Sequence, residues 1–233
     1  MIARPRIAFA VDAPSSAEAT PLVERLAPHV DVLKIGLELF VAEGPAVVAW
    51  ARAFGREVFL DLKLHDIPET VDRAVARVAD LGVRYLTVHA GGGAAMIERA
   101  ARRAEGTELT VLGVTVLTSL SAADLASVGV VATPVEQVSR LARLAWSAGA
   151  RGFVTSVEEV AALRDTLGPE PLLVTPGIRL GGHSADDQRR IATPAEAARR
   201  GADLLVIGRP LRDAADPVRT AQDIAAELAQ AAR

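Results

Sequence analysis

Residues 57–70 read EVFLDLKLHDIPET. Val58, Phe59 and Leu60 run without a polar break, and Leu62 and Leu64 carry the apolar character on, so residues 58–63 read as a strand covered on both faces. Yet the strand carries Asp61 and Lys63, with Asp66 just beyond. Side chains alternate along a strand, so Asp61 and Lys63 point one way and Leu60, Leu62 and Leu64 the other. A sheet with one wet face would carry such charges harmlessly, but it would not be apolar on both faces. Charges gathered at the end of a buried strand fit a closed parallel barrel. Its interior is packed, and its strands open at their C-terminal ends into a mouth. The leucines would then face a helix layer and the charged pair the mouth.

The rest of the 233-residue chain repeats this unit. Short β-branched runs at Ile7–Asp12, Val32–Gly36, Val58–Lys63, Tyr85–Ala90, Thr110–Leu117, Gly152–Ser156, Leu172–Gly177 and Leu204–Gly208 read as strands. Ala/Arg/Glu-rich helical patterns fall near 16–27, 44–54, 68–81, 93–104, 134–148, 157–167 and 194–200, with a last one near 217–231. Strands alternating with helices in this number predict an α/β fold of the (β/α)8 barrel type, a single domain over residues 1–233. A doubly wound open sheet is the competing fold, but its glycine-rich turn after the first strand is missing from VDAPSS, residues 11–16. The glycines of HAGGGAA, residues 89–95, read as a tight turn into the helix at 93–104.

Composition narrows the function. The net charge of -3 argues against a general nucleic-acid or membrane-surface binder. Cysteine is absent, which removes disulfides and thiolate metal sites. The first apolar run meets Asp12 too early for a signal peptide, and no run approaches the ~20 residues of a membrane span. A cytoplasmic protein is the expectation. Of 26 basic residues, only Lys34 and Lys63 are lysines. A GC-rich genome explains the scarcity of lysine but not where these two sit. Unlike arginine, a buried lysine readily exchanges a proton.

Both lysines lie at strand ends, and nearly every strand ends polar: Asp12, Lys34, Asp61 with Lys63, His89, Thr118, Ser156, Arg179 and Gly208-Arg209. In a barrel these ends converge on the face that hosts active sites. A structural ion pair closing the barrel top is the bland reading of Asp61 and Lys63. Buried pairs contribute little to stability, so a set of two acids and two amines, with Asp12 and Lys34, points to chemistry instead. TPGIRLGGHSADDQRR, residues 175–190, follows the seventh strand and IGRPL, residues 207–211, the eighth. Loops in those places commonly bind phosphate. Arg179, Gln188 and Arg209 are suitable donors there, and Gly208 lets backbone approach closely. The stretch from Gly177 to Ala192 is long for such a loop and reads as a lid. His65 lies on the opposite phase from Lys63 and reads as structural. His89 is open between a structural and a chemical role, and His29 and His183 read as loop residues without chemistry. Asp12, Asp61, Asp66 and His89 have the composition of a hard-cation site, but the interleaved lysines already neutralise the carboxylates, so no metal is expected.

DLKLHDIPET, residues 61–70, together with VLKIG, FAVDAP, VTVLTS, TPGIR, DQ and IGRP, resembles the bacterial orotidine 5'-phosphate decarboxylase family, collinearly over almost the whole chain. The resemblance implies a homodimeric (β/α)8 barrel that converts orotidine 5'-phosphate to UMP and CO2, the last step of de novo UMP synthesis, without metal or organic cofactor. It implies a catalytic array of Lys34, Asp61, Lys63 and Asp66, with Asp66 entering from the partner subunit and Lys63 protonating C6 of the pyrimidine. It further implies that Asp12 and Lys34 hold the ribose hydroxyls and that Thr70 of the partner serves the same region. Thr118 would lie by the pyrimidine, and Arg179, Gln188, Gly208 and Arg209 around the phosphate. Leu180 departs from the proline many bacterial relatives have there, which touches loop stiffness rather than chemistry.

The array makes sense without the family. Loss of CO2 from a ring carbon with no electron sink leaves a vinylic carbanion, which a fixed ammonium stabilises as it forms and then protonates. The nearest rival is a Mg-dependent sugar-phosphate decarboxylase or synthase of the same barrel superfamily. Those typically carry Glu where this chain has Lys34, a cation that would repel the metal. A Schiff-base aldolase would need Lys63 deprotonated, and two adjacent acids favour the charged form. A non-catalytic phosphate-binding protein would have no need of the full array.

Overall fold

The computed structural model describes residues 4–180 and 192–231. In chain order the elements are β1 (Arg6–Val11), α1 (Ser16–Leu26), β2 (Val32–Ile35), α2 (Leu37–Glu43), α3 (Ala46–Arg52), β3 (Glu57–Leu64), α4 (Pro68–Asp80), β4 (Tyr85–His89) and α5 (Ala94–Ala104). Then follow β5 (Thr110–Val114), α6 (Ala122–Ser127), α7 (Pro134–Ser147), β6 (Gly152–Val154), α8 (Val157–Leu167), β7 (Leu172–Thr175), α9 (Pro194–Arg199), β8 (Leu204–Ile207), α10 (Arg209–Arg212) and α11 (Pro217–Ala231). The eight strands pair in parallel in sequence order and close through β1–β8 into the (β/α)8 barrel expected from the alternation.

Local chemistry places the helix starts. Ser15 caps α1 by accepting from the Glu18 N–H, and Thr133 and Glu136 form a reciprocal capping box ahead of Pro134 in α7. Proline at the first position of α4, α7, α9 and α11 lacks only an N–H that no helical carbonyl would have received. On α4 the buried Val71, Val75 and Val78 recur at helical spacing and form one apolar stripe.

The two faces of each strand serve two cores. Ile7, Phe9, Leu33, Ile35, Leu60, Leu86 and Val88 pack outward against the helices, and Leu62 and Leu64 join them as foreseen. Inside the barrel, Ala8, Ala10, Val32, Phe59, Tyr85, Leu112, Val174, Leu204 and Val206 fill the middle. Small residues on β1 leave room for Phe59 and Tyr85, whose rings meet edge to face at 6.0 Å. Below them Arg6 pairs with Glu57 at 2.7 Å and donates to the Tyr85 hydroxyl at 2.8 Å. The interior is therefore packed at its N-terminal end, and the open space lies at the strands' C-terminal ends.

The structure departs from the expected elements in a few places. Residues 37–43, which lie outside every expected element, form α2, and the helix expected over 44–54 is the shorter α3. Helices α6 and α10 were not foreseen. Strand β5 stops at Val114 rather than Leu117, and β7 stops at Thr175, before Pro176, which has no N–H for the ladder. Gly177 and Arg179 exchange backbone hydrogen bonds with Ala192, so both ends of the long seventh loop are joined. Gln188, His183 and the other positions between 181 and 191 lie outside the described residues.

Candidate active site

A cavity of about 410 Å³ opens at the barrel mouth, within the range of small-molecule sites. Asp12, Lys34, Asp61, Lys63, Thr118, Arg179, Gly208 and Arg209 all line it. Asp66 and Thr70 do not. Both are exposed, Asp66 in the middle of the β3–α4 connection and Thr70 on the first turn of α4. Ser156 does not line it either; its backbone N–H and the Thr155 hydroxyl donate to the buried Glu159 at the start of α8.

The charged residues form an alternating row. Lys34 Nζ stands 3.5 Å from Asp12 Oδ1 and 3.9 Å from Asp61 Oδ2, and Lys63 Nζ donates to Asp61 Oδ2 at 2.8 Å. Lys34 is buried, and Asp61 nearly so. Two glycines keep space for the row. A Cβ on Gly36 would stand 3.3 Å from Lys34 Nζ, and one on Gly208 would stand 3.3 Å from Asp12 Oδ2. Burial pushes the Asp61 carboxyl up. Lys34, Lys63 and hydrogen bonds from Lys63 and Thr87 outweigh it, leaving Asp61 below the usual carboxylate range.

Asp61 and Lys63 share the inner face of β3, as the alternation expected, with Leu60, Leu62 and Leu64 on the outer one. The strand between them is nonetheless irregular. The β3–β4 register slips between Leu60 and Leu64, and Lys63 has φ of 49°, the only non-glycine residue among those described with positive φ. For a residue with a Cβ the left-handed conformation costs on the order of 1–2 kcal/mol, so surrounding contacts must hold it. The contact present is Thr87, whose hydroxyl accepts from the Lys63 N–H at 2.8 Å and donates to Asp61 Oδ1 at 2.8 Å.

The lining that follows β7 and β8 is cationic, and Gly208 there neighbours Asp12 of the row. Arg179, Arg209 and Arg212 belong to it with Gly208 and Gly177, and Arg179 also donates to its neighbouring carbonyl at 2.9 Å. Val114, Val116, Leu117, Val154, Pro176 and Val206 add an apolar wall to the same cavity. The lining thus offers charged groups for polar substituents, an apolar surface for a ring and arginines for an anion. Among the described residues no three His, Asp or Glu side chains gather in a way that holds a metal ion. His65 and His89 face each other outside the row, ring centroids 5.3 Å apart. Burial, then His65 and Lys63, push His89 down, against the smaller pull of Asp61, so its neutral form is favoured.

Sequence reasoning missed Arg212 and Thr87. Thr87 had a signal: it lies two residues before His89 on the same phase of β4, a polar residue on the inner face of an apolar strand.

The model of the "Orotidine 5'-phosphate decarboxylase / HUMPS family" matches residues 5–224. A protein named orotidine 5'-phosphate decarboxylase from Anaeromyxobacter dehalogenans is 57% identical over 223 residues, covering 96% of this chain and 98% of its own. One of the same name from Moorella thermoacetica is 48% identical over 236 residues, covering 98% of this chain and 94% of its own. The crystal structure of orotidine 5'-phosphate decarboxylase from Lactobacillus acidophilus superposes with a TM-score of 0.85 at 35% identity, covering 97% of this chain and 99% of that one. Sequence match, barrel and ion row agree along nearly the entire length, and the chain belongs to the orotidine 5'-phosphate decarboxylase / HUMPS family.

Proposed function

We infer that this protein is an orotidine 5'-phosphate decarboxylase, converting orotidine 5'-phosphate to UMP and CO2 in pyrimidine biosynthesis. The observation that carries the reading is one cavity lined by the row Asp12–Lys34–Asp61–Lys63, by Arg179, Arg209 and Arg212, and by an apolar wall. The phosphate binds at Arg179, Gln188, Gly208 and Arg209, the pyrimidine rests on the wall near Thr118, and the ribose hydroxyls meet Asp12 and Lys34. The bond from C6 to the carboxylate breaks, its electron pair stays on C6 and CO2 leaves. The Lys63 ammonium, fixed by Asp61, stabilises that charge and then transfers a proton to C6, leaving a neutral amine that solvent reprotonates. Binding the remote phosphate supplies energy for holding the ring against the ion row.

The enzyme works as a homodimer in the cytoplasm, with Asp66 and Thr70 of each subunit serving the other's site. Support for the shared site comes from their exposure, outside the cavity of their own chain. Ile67, in the β3–α4 connection, and Leu37 and Val41, on α2 after the neighbouring strand, are exposed large apolar residues of the kind subunits bury. Further support for the metal-free reaction is that Asp12 and Asp61 each pair with a lysine.

The deciding experiment mixes EDTA-treated protein with orotidine 5'-phosphate and follows its absorbance. Full turnover without divalent ions is expected. Turnover lost on chelation and restored by Mg²⁺ would move the assignment to a sugar-phosphate type of site.

A further inference from the structure

We propose that Thr87 is a positioning residue for the reaction, its single hydroxyl clamping the Lys63 backbone and the Asp61 carboxylate into one unit. The inference rests on the roles given above to Lys63 and Asp61.

The argument starts from the register. Leu60 pairs with Leu86 and Leu64 with Val88, so residues 61, 62 and 63 of β3 stand opposite Thr87 alone. Regular pairing is impossible there, and a ladder carbonyl is not what receives the Lys63 N–H. The Thr87 side chain takes its place, accepting at 2.8 Å. A hydroxyl has one proton to give, and Thr87 gives it to Asp61 Oδ1, also at 2.8 Å. The other oxygen of the same carboxylate receives the Lys63 ammonium. The chain of contacts therefore runs from Lys63 N–H through Thr87 and Asp61 back to Lys63 Nζ. It is a closed loop that fixes both ends of one side chain.

Thr87 is fully buried, so water does not compete for its hydroxyl. It does not line the cavity, which separates it from substrate contact. The left-handed backbone at Lys63 is what turns the side chain back toward Asp61, and it persists only while something holds it. The charged groups around Asp61 are Lys34 from β2, Lys63 from its own strand and His89 from β4. None of them bonds the Lys63 backbone. Without the Thr87 hydroxyl, residues 61–63 lose the contact that sets their shape, and the ammonium is no longer fixed beside the reacting carbon.

The test compares Thr87→Val, Thr87→Ala and Thr87→Ser for folding, kcat and KM toward orotidine 5'-phosphate. Misplacement of a reacting group by about 1 Å costs on the order of 100-fold, so kcat should fall about 100-fold in the valine and alanine variants. KM should stay within about threefold, because the phosphate rim is untouched. Serine loses only a methyl and should restore kcat to within about threefold of the wild type. Alanine keeps the hydroxyl deletion measurable if the branched valine does not fold. A serine variant as slow as the other two, or hydroxyl-free variants that are folded and fast, would overturn the inference while leaving the activity assigned. Wild-type protein that releases no CO2 would overturn the activity and this inference with it.

Discussion

The proposed chemistry turns on Lys63, and its replacement by arginine separates a structural ion pair from an acid. The change keeps the charge and follows the habit of a chain that uses arginine for nearly every other cation. Guanidinium is longer, planar and far less willing to release a proton. A pair that merely closed the barrel would tolerate it. A proton donor held at 2.8 Å from Asp61 would not. Lys63→Arg should give folded protein that still binds UMP, while turnover falls at least ~1000-fold, or about 4 kcal/mol of transition-state stabilisation. Stopped-flow turnover together with a UMP titration checks both halves. Retention of a tenth or more of wild-type turnover would remove Lys63 as the acid.

At the scale of elements, the site depends on how closely strands can approach. Strand β6 is the shortest of the eight and begins at Gly152, whose partners are Leu112 on β5 and Leu172 on β7. A Cβ there would stand 2.6 Å from the Leu172 carbonyl oxygen and 2.7 Å from Leu112 Cδ2. Backbone cannot move aside as a side-chain tip can, so Gly152→Ala forces the strands apart. The expected cost is about 1–3 kcal/mol of stability, seen as a lower urea midpoint with unchanged slope. The β4–α5 turn was readable in advance as a glycine device, and Gly93 with φ of 87° does lead into α5. Helix α2 was not. The helical pattern near 44–54 opens on Gly44 and Pro45, and these two, Gly44 with φ of 62°, instead make the turn that separates α2 from α3, which periodicity alone does not show.

For the whole molecule, the proposal to test is where Asp66 and Thr70 act. They lie outside the cavity their own barrel builds, and Ile67 between them is exposed as well. If each subunit completes its neighbour's site, mixing inactive Lys63→Ala protein with inactive Asp66→Ala protein restores activity. A mixed dimer then holds one site free of both lesions. Random exchange puts about half the subunits in mixed dimers with one intact site each, so recovery should approach about a quarter of wild-type specific activity. Subunit exchange demonstrated by mass with no recovered turnover would place Asp66 in its own chain's chemistry or outside it.

The barrel and the polar strand ends were legible because they are matters of period. Alternation of two marks a strand, 3.6 a helix, and a parallel closed sheet sends every strand end to one face. Hence Asp12, Lys34, Asp61, Lys63, Thr118, Arg179, Gly208 and Arg209 were found in the sequence and meet in one cavity. What the period could not supply was the local break in it. The slip opposite Thr87, the left-handed Lys63 and the hydroxyl that bridges two residues on the adjacent strand arise only when β3 and β4 lie side by side. A hydrogen bond depends on distances of a few tenths of an ångström between residues 24 and 26 positions apart. No linear pattern encodes such a distance, and so only the tertiary structure decided how the Lys63 ammonium is held.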